Sequence, residues 1–365
     1  GSSYGAFRNA FDYNGNPISQ QKGAVVLTPQ SIYYNGLLQS VTSPQLAGYL
    51  EQTFGGVPAT PTQAAPGTTY VFPTIGGGNE DIIKGLVLQP DQKIVGGGYT
   101  SIVVGAQRFA LARFLQNGQL DNTFGIGGTT YINQSIIAGQ IGNNEGKAIA
   151  LQSDGKIIIV GGVQNTTLFP TRFGVARFLS NGQLDTSFGG TGGAIAGASF
   201  INASIAGHLP FGADDTPTAV AIQPDGKIVV AGYVRKASGA YRFGLARFLT
   251  DGTLDPEFGG FPAPAPAGTT YIDQSIGGGG NDNPLAIALL PDGKIVLGGW
   301  TTTADGVQAA LACFLSDGTL DPDFGNQAGG VAGTTVVPFV LQIGAGNEVD
   351  RITGLVVQPD NKLVG

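Results

Sequence analysis

Residues 220–259 read VAIQPDGKIVVAGYVRKASGAYRFGLARFLTDGTLDPEFG, and this stretch recurs with small changes along the chain. The other copies are residues 86–125, 148–189 and 287–325. The lysine of the QPDGK motif marks the repeat about every 60–70 residues, as Lys93, Lys156, Lys227, Lys294 and Lys362. Self-similarity at such a period is typical of repeat architectures, in which neighbouring units bury one another's apolar faces.

Each unit is predicted to contain four β-strands. The apolar run before PDGK and the Val/Ile-rich run after it have the composition of the first two strands. The ARFL and QLDxxF runs are predicted to be the third and fourth, joined by turns such as Asp251-Gly252. Pro224-Asp225-Gly226 fits a three-residue hairpin loop, because Gly readily adopts the left-handed conformation. Gln92 takes the place of that Gly in one unit, so its turn is expected to be strained.

The two ends of the chain carry degenerate or incomplete copies of the repeat. A degenerate unit covers about 24–56, and the last unit stops at Gly365 after two strands. Residues 6–18 align with residues 109–121, so N-terminal strands are expected to complete the last unit.

These ends predict an all-β fold, a β-propeller of six four-stranded blades whose last blade is closed by N- and C-terminal strands. Such closure removes free sheet edges. The chain is expected to be one domain, 1–365. Its closing blade would be 1–19 with 351–365, and the other blades would be 20–81, 82–146, 147–215, 216–283 and 284–350.

The repeat resembles the bacterial delta-60 repeat, also called the DUF5122 β-propeller domain. The resemblance rests on an apolar strand followed by QPDGKIVVAG, FALARF and DGSLDxxFG, and it covers almost the whole chain. It implies a propeller of the kind often found in large secreted or surface proteins of bacteria, and it implies no catalytic residues. We therefore expect a secreted or cell-surface location.

Composition narrows the range of partners. Charged residues make up 12% of the chain and the net charge is −7, without a basic stripe, so nucleic-acid binding is not expected. The sequence has no run of 18 apolar residues, so membrane insertion is not expected. The single cysteine, Cys313, excludes an intramolecular disulfide. Because the chain starts Gly1-Ser2-Ser3 and lacks Met, we expect a processed or excised fragment.

Three arginine–aspartate pairs recur at one place in the repeat. They are predicted to face each other within a unit as ion pairs, and a ring of ligand-binding arginines is the alternative. Cys313 replaces the arginine of the next unit and is predicted to be a small buried hydrophobe. The only histidine, His208, lies in a different linker, so a Cys–His pair is not expected. The pairs are Arg113/Asp121, Arg177/Asp185 and Arg247/Asp255.

Polar residues end the glycine-rich crossovers, just before each first strand. If the first strands line the central channel, these clusters meet at one mouth of it, where they could bind a glycan, another polyol or Ca²⁺. Asp282 and Glu348 are the predicted principal calcium ligands, and Ca²⁺ is the only cofactor considered. The alternative is that these residues start strands and cap turns. The candidates are Glu80, Asp81, Asn144, Glu145, Asp214, Asp215, Asp282, Asn283 and Glu348.

Aromatic residues of the linker strands form a second candidate surface. Tyr131, Phe200 and Tyr271 could stack on sugars, and packing between blades explains them equally well. Trp300 is expected to pack in the core, near the surface of its blade.

The sequence thus predicts a non-enzymatic surface or secreted module for recognition, with a glycan or another surface protein as partner. One alternative is a purely structural repeat block of a larger adhesin or filament. Another is a calcium-dependent hydrolase or lactonase-type propeller enzyme. The single histidine and the lack of a nucleophile–base pairing in the motifs argue against an enzyme.

Overall fold

The computed structural model describes residues 32–34, 37–39, 69, 71, 75–102, 106–164, 171–206, 214–260, 262–325, 330–337 and 349–365. The chain divides into two compact units, Gly1–Thr69 and Tyr70–Gly365. In the first, strands β1 (Ile32–Tyr34) and β2 (Leu37–Gln39) pair antiparallel. The predicted closing strands 1–19 lie outside the described residues, and so does most of the degenerate unit 24–56. The six-blade closure and the single domain therefore stay predictions.

The described residues of the second unit form four antiparallel, four-stranded sheets, each built from one repeat. Sheet 1 has β3 (Gly77–Leu88), β4 (Ile94–Ile102), β5 (Gln107–Phe114) and β6 (Thr129–Tyr131). Sheet 2 has β7 (Asn144–Leu151), β8 (Ile157–Val163), β9 (Arg172–Phe178) and β10 (Ala198–Phe200). Sheet 3 has β11 (Thr216–Ile222), β12 (Ile228–Arg235), β13 (Tyr241–Phe248) and β14 (Thr269–Tyr271). Sheet 4 has β15 (Asp282–Leu289), β16 (Ile295–Thr303), β17 (Gly306–Phe314) and β18 (Thr334–Val336).

A last hairpin pairs β19 (Val356–Val357) with β20 (Leu363–Val364). The described residues form strands and turns and no helix, so none of them forms a helix that could span a membrane. The all-β class is confirmed, and the antiparallel four-stranded sheets are those of a propeller. The predicted blade starts at 82, 147, 216 and 284 fall within the first strands of the four sheets.

The fourth strand of each sheet differs from the prediction. The Thr-Thr-Tyr segment of the linker pairs with the third strand in sheet 1, where Tyr131 lies opposite Ala110. The QLDxxF run, predicted to be this strand, makes only an isolated bridge between Leu120 and Phe114. The reason is local: Asp121 starts a tight turn by accepting hydrogen bonds from Thr123, and this turn stops the strand after one residue.

The hairpin turns follow the predicted chemistry. Gly226 has a φ of 83°, in the left-handed region that glycine enters at little cost. Gln92 and Asn361 hold the same place with φ values of 67° and 62°. The prediction that Gln92 is strained is therefore confirmed, since a long side chain rarely adopts this conformation.

The core consists of apolar layers between neighbouring sheets. In β8, Ile157 and Ile159 pack toward sheet 1, whereas Ile158 and Val160 pack toward sheet 3. This alternation follows from the two-residue period of a strand. A third layer joins sheets 3 and 4 through Phe243, Phe258 and their neighbours. The first strands of successive sheets also contact one another, so their starting ends gather on one side.

Each sheet has two distinct ends. The mouth end is where the first strand begins, near Glu80, Asn144, Asp215 and Asp282. The turn end is where the Pro-Asp-Gly type hairpin joins the first and second strands, near Lys93, Lys156, Lys227 and Lys294.

Candidate ligand-binding pocket

One predicted set of mouth residues anchors loops. Asp81, Asp215 and Asp282 occupy the same repeat position, and each accepts a hydrogen bond from a backbone N–H of the loop before its sheet. The donors are Ile75 at 3.0 Å, Ile205 at 2.9 Å and Ile276 at 3.2 Å. Asn144 takes this position in sheet 2 and donates to the Ser135 hydroxyl and the Gly142 carbonyl.

Burial has electrostatic consequences for these anchors. Burial raises the pKa of Asp215 to about 6, against the opposing effect of the Ile205 hydrogen bond. Burial also raises the pKa of Asp282, which accepts a 2.5 Å hydrogen bond from the Thr301 hydroxyl and lies 3.6 Å from an Arg242 nitrogen. Asp282 is fully buried. Its contacts account for it as a structural group, so its calcium role stays a prediction without support from this geometry.

A second set of mouth residues links neighbouring sheets. The side-chain oxygen of Asn143 accepts from the Gln107 backbone N–H at 3.0 Å. Asp214 and Asn281 make the equivalent bonds, from Thr171 at 2.8 Å and from Tyr241 at 3.0 Å. Each bond links the loop before one sheet to the beginning of the third strand of the preceding sheet, or, for Thr171, to the residue just before that strand. Either Asp or Asn can therefore serve at this position, because only one side-chain oxygen is required.

A polar pocket of about 210 Å³ lies at the mouth end, across sheets 1, 2 and 3. A cavity of this size has room for several waters or for one small polar molecule. The predicted residues Glu145 and Asp214 both line it. The full lining is Gln107, Asn143, Glu145, Lys147, Gly162, Gln164, Thr171, Asp214, Thr216 and Tyr233.

The pocket exists where one repeat departs from the others. Tyr99, Gly162, Tyr233 and Trp300 hold the same position in sheets 1 to 4, six residues after the marker lysine. Gly162 lies opposite Glu145 in the ladder of sheet 2. A Cβ atom at Gly162 would lie 2.4 Å from the Thr171 methyl carbon, so even an alanine would press on the lining. The missing aromatic side chain leaves the space that the pocket occupies.

The pocket is negatively polarised. Glu145 forms a 2.5 Å ion pair with Lys147. Burial raises the pKa of Tyr233, and the carboxylates of Asp214 and Glu145 raise it further. Burial likewise raises the pKa of Tyr99, with Glu80 and Glu145 adding to the effect. Two tyrosine hydroxyls at the mouth therefore stay protonated and can donate hydrogen bonds.

The other predicted site residues are separated from this pocket. Glu80 is exposed, and its carboxylate contributes to the raised pKa of the Tyr99 hydroxyl. Asn283 is half-buried and lies opposite Trp300 in the ladder of sheet 4. Glu348 and His208 lie outside the described residues. Within the described ranges, no group of three His, Cys, Asp or Glu side chains could hold a metal ion.

The linker aromatics pack between sheets. Tyr271 is 4% exposed within the layer between sheets 2 and 3, and Phe200 packs against the layer between sheets 1 and 2. Tyr131 is half-buried. These contacts favour packing over sugar stacking. Trp300 is half-buried, with the Arg351 guanidinium 5.4 Å from its ring centre.

At the turn end, the predicted arginine–aspartate pairs are confirmed. Arg177 Nε donates to Asp185 at 2.8 Å, and the pairs in sheets 1 and 3 have the same geometry. The sequence pattern did not indicate that each arginine also reaches the next sheet. Arg177 Nη1 donates to the Thr250 carbonyl at 2.5 Å, and its guanidinium lies 4.5 Å from the Phe188 ring centre. We call this Arg–Asp–Phe arrangement, with its bond to the next sheet, the clasp.

Sheet 4 has no clasp arginine. Cys313 is fully buried, as predicted, and burial raises the pKa of its thiol to about 12. A thiol that stays protonated is a poor nucleophile. Asp321 keeps the ion pair with the marker lysine, Lys294 at 2.9 Å, which the equivalent aspartates of the other three sheets also make.

A second arginine series was not predicted from the sequence. Arg108 and Arg242 are each the second residue of a third strand and donate to a crossover carbonyl, Gly142 at 3.0 Å and Gly280 at 2.5 Å. The signal was present, because an Arg-Phe pair recurs at this point in three repeats.

Comparison with known proteins identifies the repeat. A family model described as "Domain of unknown function (DUF5122) beta-propeller" matches residues 89–124, 152–188, 223–258 and 290–324. The predicted resemblance is thereby confirmed. No curated protein sequence matches the chain.

Three solved structures are similar at low identity. A Dyadobacter fermentans protein of unknown function is 13% identical, with 69% of this chain and 63% of that chain covered and a TM-score of 0.39. A glucose dehydrogenase is 14% identical, with 80% and 81% covered and a TM-score of 0.41. A mutant Trypanosoma rangeli sialidase with trans-sialidase activity is 12% identical, with 74% and 40% covered and a TM-score of 0.36. The chain thus spans less than two thirds of the Dyadobacter protein, and these likenesses carry no argument about activity.

Proposed function

Because the chain contains four DUF5122 β-propeller repeats, we propose that it is a non-enzymatic recognition module, secreted or at a bacterial cell surface. Its ligand is a small polyhydroxylated molecule, such as a terminal sugar of a glycan, bound in the mouth pocket. The observation that carries the proposal is the 210 Å³ polar pocket opened by Gly162.

The pocket lining suits hydroxyl groups. A sugar hydroxyl both donates and accepts hydrogen bonds, so it needs partners of both kinds. Glu145 and Asp214 accept, Lys147 donates, and the amides of Gln107 and Gln164 can do both. The Tyr233 ring adds an apolar surface of the kind that ligand sites combine with a few polar groups. A recognition role needs no nucleophile, and the protonated thiol of Cys313 offers none.

The test is titration of the full chain with a panel of neutral, amino and acidic monosaccharides, followed by NMR or calorimetry. We expect binding that Glu145→Gln and Gly162→Tyr both weaken at least tenfold. Gly162→Tyr places in sheet 2 the residue that sheets 1 and 3 carry, and its melting temperature shows whether it folds. Glu257→Gln is the matched control, because Glu257 is exposed and lies outside the pocket. Absence of binding by every sugar would overturn the proposal in favour of the structural-block alternative.

We also propose that the propeller closes with six blades. Its support is an exposed apolar face on sheet 1, where Leu86 and Leu88 are 64% and 47% exposed. The residue of sheet 2 equivalent to Leu86 is Ile149, which packs against sheet 1 and is 9% exposed. Leucines at such positions imply a further blade against this face. End-on electron-microscopy views should show six blades, and a smaller closed ring or an open arc would overturn the count.

A further inference from the structure

Resting on the proposed function, we infer that the mouth pocket selects a sugar carrying a protonated amine, with Asp214 as the counter-ion of that amine. The pocket is then a site for amino sugars, and its selectivity comes from the charge balance around sheet 2.

The charges at the pocket do not cancel. Glu145 is neutralised by Lys147 through their ion pair. Arg172 interacts electrostatically with both Asp215 and Asp214, so its one positive charge is shared between two carboxylates. The lining itself carries two carboxylates, Glu145 and Asp214, and one cation, Lys147, so its net charge is negative before a ligand binds. A ligand with one positive charge would restore the balance, and a neutral sugar would not.

Asp214 is placed to act on a ligand without moving. Its Oδ1 atom accepts from the Thr171 backbone N–H at 2.8 Å, which fixes the carboxylate on the pocket wall. The equivalent positions in the neighbouring crossovers are Asn143 and Asn281, which make the same bond with an amide oxygen. The hydrogen bond at this position needs only one oxygen, so it does not require the negative charge of Asp214. The Asp214 carboxylate, just before the first strand of sheet 3, lines the same pocket as Gly162 of sheet 2.

Asp214→Asn is therefore a precise probe. The substitution removes the charge and keeps the side-chain oxygen that accepts the hydrogen bond from the Thr171 N–H. The equivalent positions of two other crossovers, Asn143 and Asn281, already carry an asparagine. A change in ligand choice in this variant reports on charge and not on shape. Asn143→Asp is the matched reverse substitution, since Asn143 also lines the pocket.

The experiment compares D-glucosamine, N-acetyl-D-glucosamine and D-glucose on the full chain at pH 6.5 by calorimetry. We expect glucosamine to bind at least about tenfold more tightly than the other two, a ratio typical of one charge-assisted contact. Asp214→Asn should lower the affinity for glucosamine at least about tenfold more than the affinity for glucose, and Asn143→Asp should increase the preference for glucosamine. High salt should reduce the preference in the wild type.

The outcomes separate the two proposals. Equal affinity for the three sugars would overturn the amine selectivity and leave the sugar site standing. Equal fold losses of affinity for glucosamine and for glucose in Asp214→Asn would also overturn it, because the charge of Asp214 would then not distinguish the two sugars. Binding of Ca²⁺ in the wild type that Asp214→Asn abolishes would overturn it in favour of a cation site. Failure of all three sugars to bind would overturn both proposals.

Discussion

The turn end and the mouth end of the sheets differ in how closely their residues repeat from one sheet to the next. At the turn end, sheets 1, 2 and 3 carry the same clasp, with Arg–Asp distances of 2.9, 2.8 and 2.8 Å. At the mouth end, one position changes from Tyr99 to Gly162 to Tyr233 to Trp300 in successive sheets. The repeated end joins sheets to one another. The varied end contains the pocket.

This difference indicates which residues to associate with folding and which with ligand choice. A group that recurs with the same bonds in each sheet performs a task that every sheet has, which is docking on its neighbour. A group that departs from the pattern is released from that task. Gly162 is a departure of this kind at the mouth, and Cys313 is the departure at the turn end. Asp214 keeps the bond that Asn143 and Asn281 also make and differs from them only in its charge.

The largest effect is expected from removing a clasp. Arg177→Met should lower the free energy of unfolding by about 3 kcal/mol, because charge-assisted bonds to Asp185 and to the Thr250 carbonyl are lost in a buried setting. Cys313→Ala is the control in the sheet without a clasp, and it should cost only about 1 kcal/mol. Denaturant unfolding measures both. Similar losses in the two variants would contradict a special role for the clasp.

The aspartate of a sheet with a clasp should also contribute more to the free energy of unfolding than the aspartate of sheet 4, which has no clasp. Asp185→Asn leaves Arg177 buried without its counter-ion, since the Arg177 side chain is 8% exposed. We expect a loss of about 2 kcal/mol. Asp321→Asn leaves Lys294, whose side chain is 33% exposed and can be hydrated, so the loss should stay below about 1 kcal/mol. If the two losses are equal in thermal melts, the aspartates act mainly as turn caps.

Acid titration should separate the mouth anchors from the clasps. Asp215 has a folded-state pKa of about 6, above the value of about 3.9 for an unfolded Asp, so the folded state binds the proton more tightly. Stability should therefore rise by about 1 kcal/mol as pH falls from 7 to 5. Asp121 has a pKa lowered to about 2, chiefly by its bonds with Thr123 and Lys93 overcoming the effect of burial. Its contribution is lost as pH falls below about 4.

The variant Asp215→Asn tests whether Asp215 causes the predicted increase in stability between pH 7 and 5. It removes the titrating group, so melting temperature should no longer increase between pH 7 and 5, while the acid loss below pH 4 remains. A rise that persists in Asp215→Asn would assign the effect to another buried group, such as Asp282, whose pKa is also raised by burial.

Much of the scaffold could be predicted from the sequence, because each part rests on local chemistry. The turn at Gln92 and the Arg177–Asp185 pair needed only turn geometry and cross-strand spacing. The fourth strand was placed wrongly, since its partner was decided by the turn at Asp121. The pocket could not be predicted, because Gly162 matters only once Glu145, Thr171 and Asp214 from different elements surround it. The clasp bond to Thr250 was missed for the same reason.

The smallest stability effect is expected at the mouth. Asp214→Asn should change the free energy of unfolding by less than about 0.5 kcal/mol, because the bond from the Thr171 N–H is kept. A loss comparable to that of Arg177→Met would place Asp214 with the folding residues.

The most direct test of the division between the two ends measures stability and glucosamine affinity together in Arg177→Met and Asp214→Asn. We predict that Arg177→Met lowers the unfolding midpoint and leaves the affinity of the folded protein unchanged. The reverse is expected for Asp214→Asn. If both variants lower stability and affinity together, or if Arg177→Met alone weakens binding, the division between a repeated scaffold and a varied binding end is contradicted.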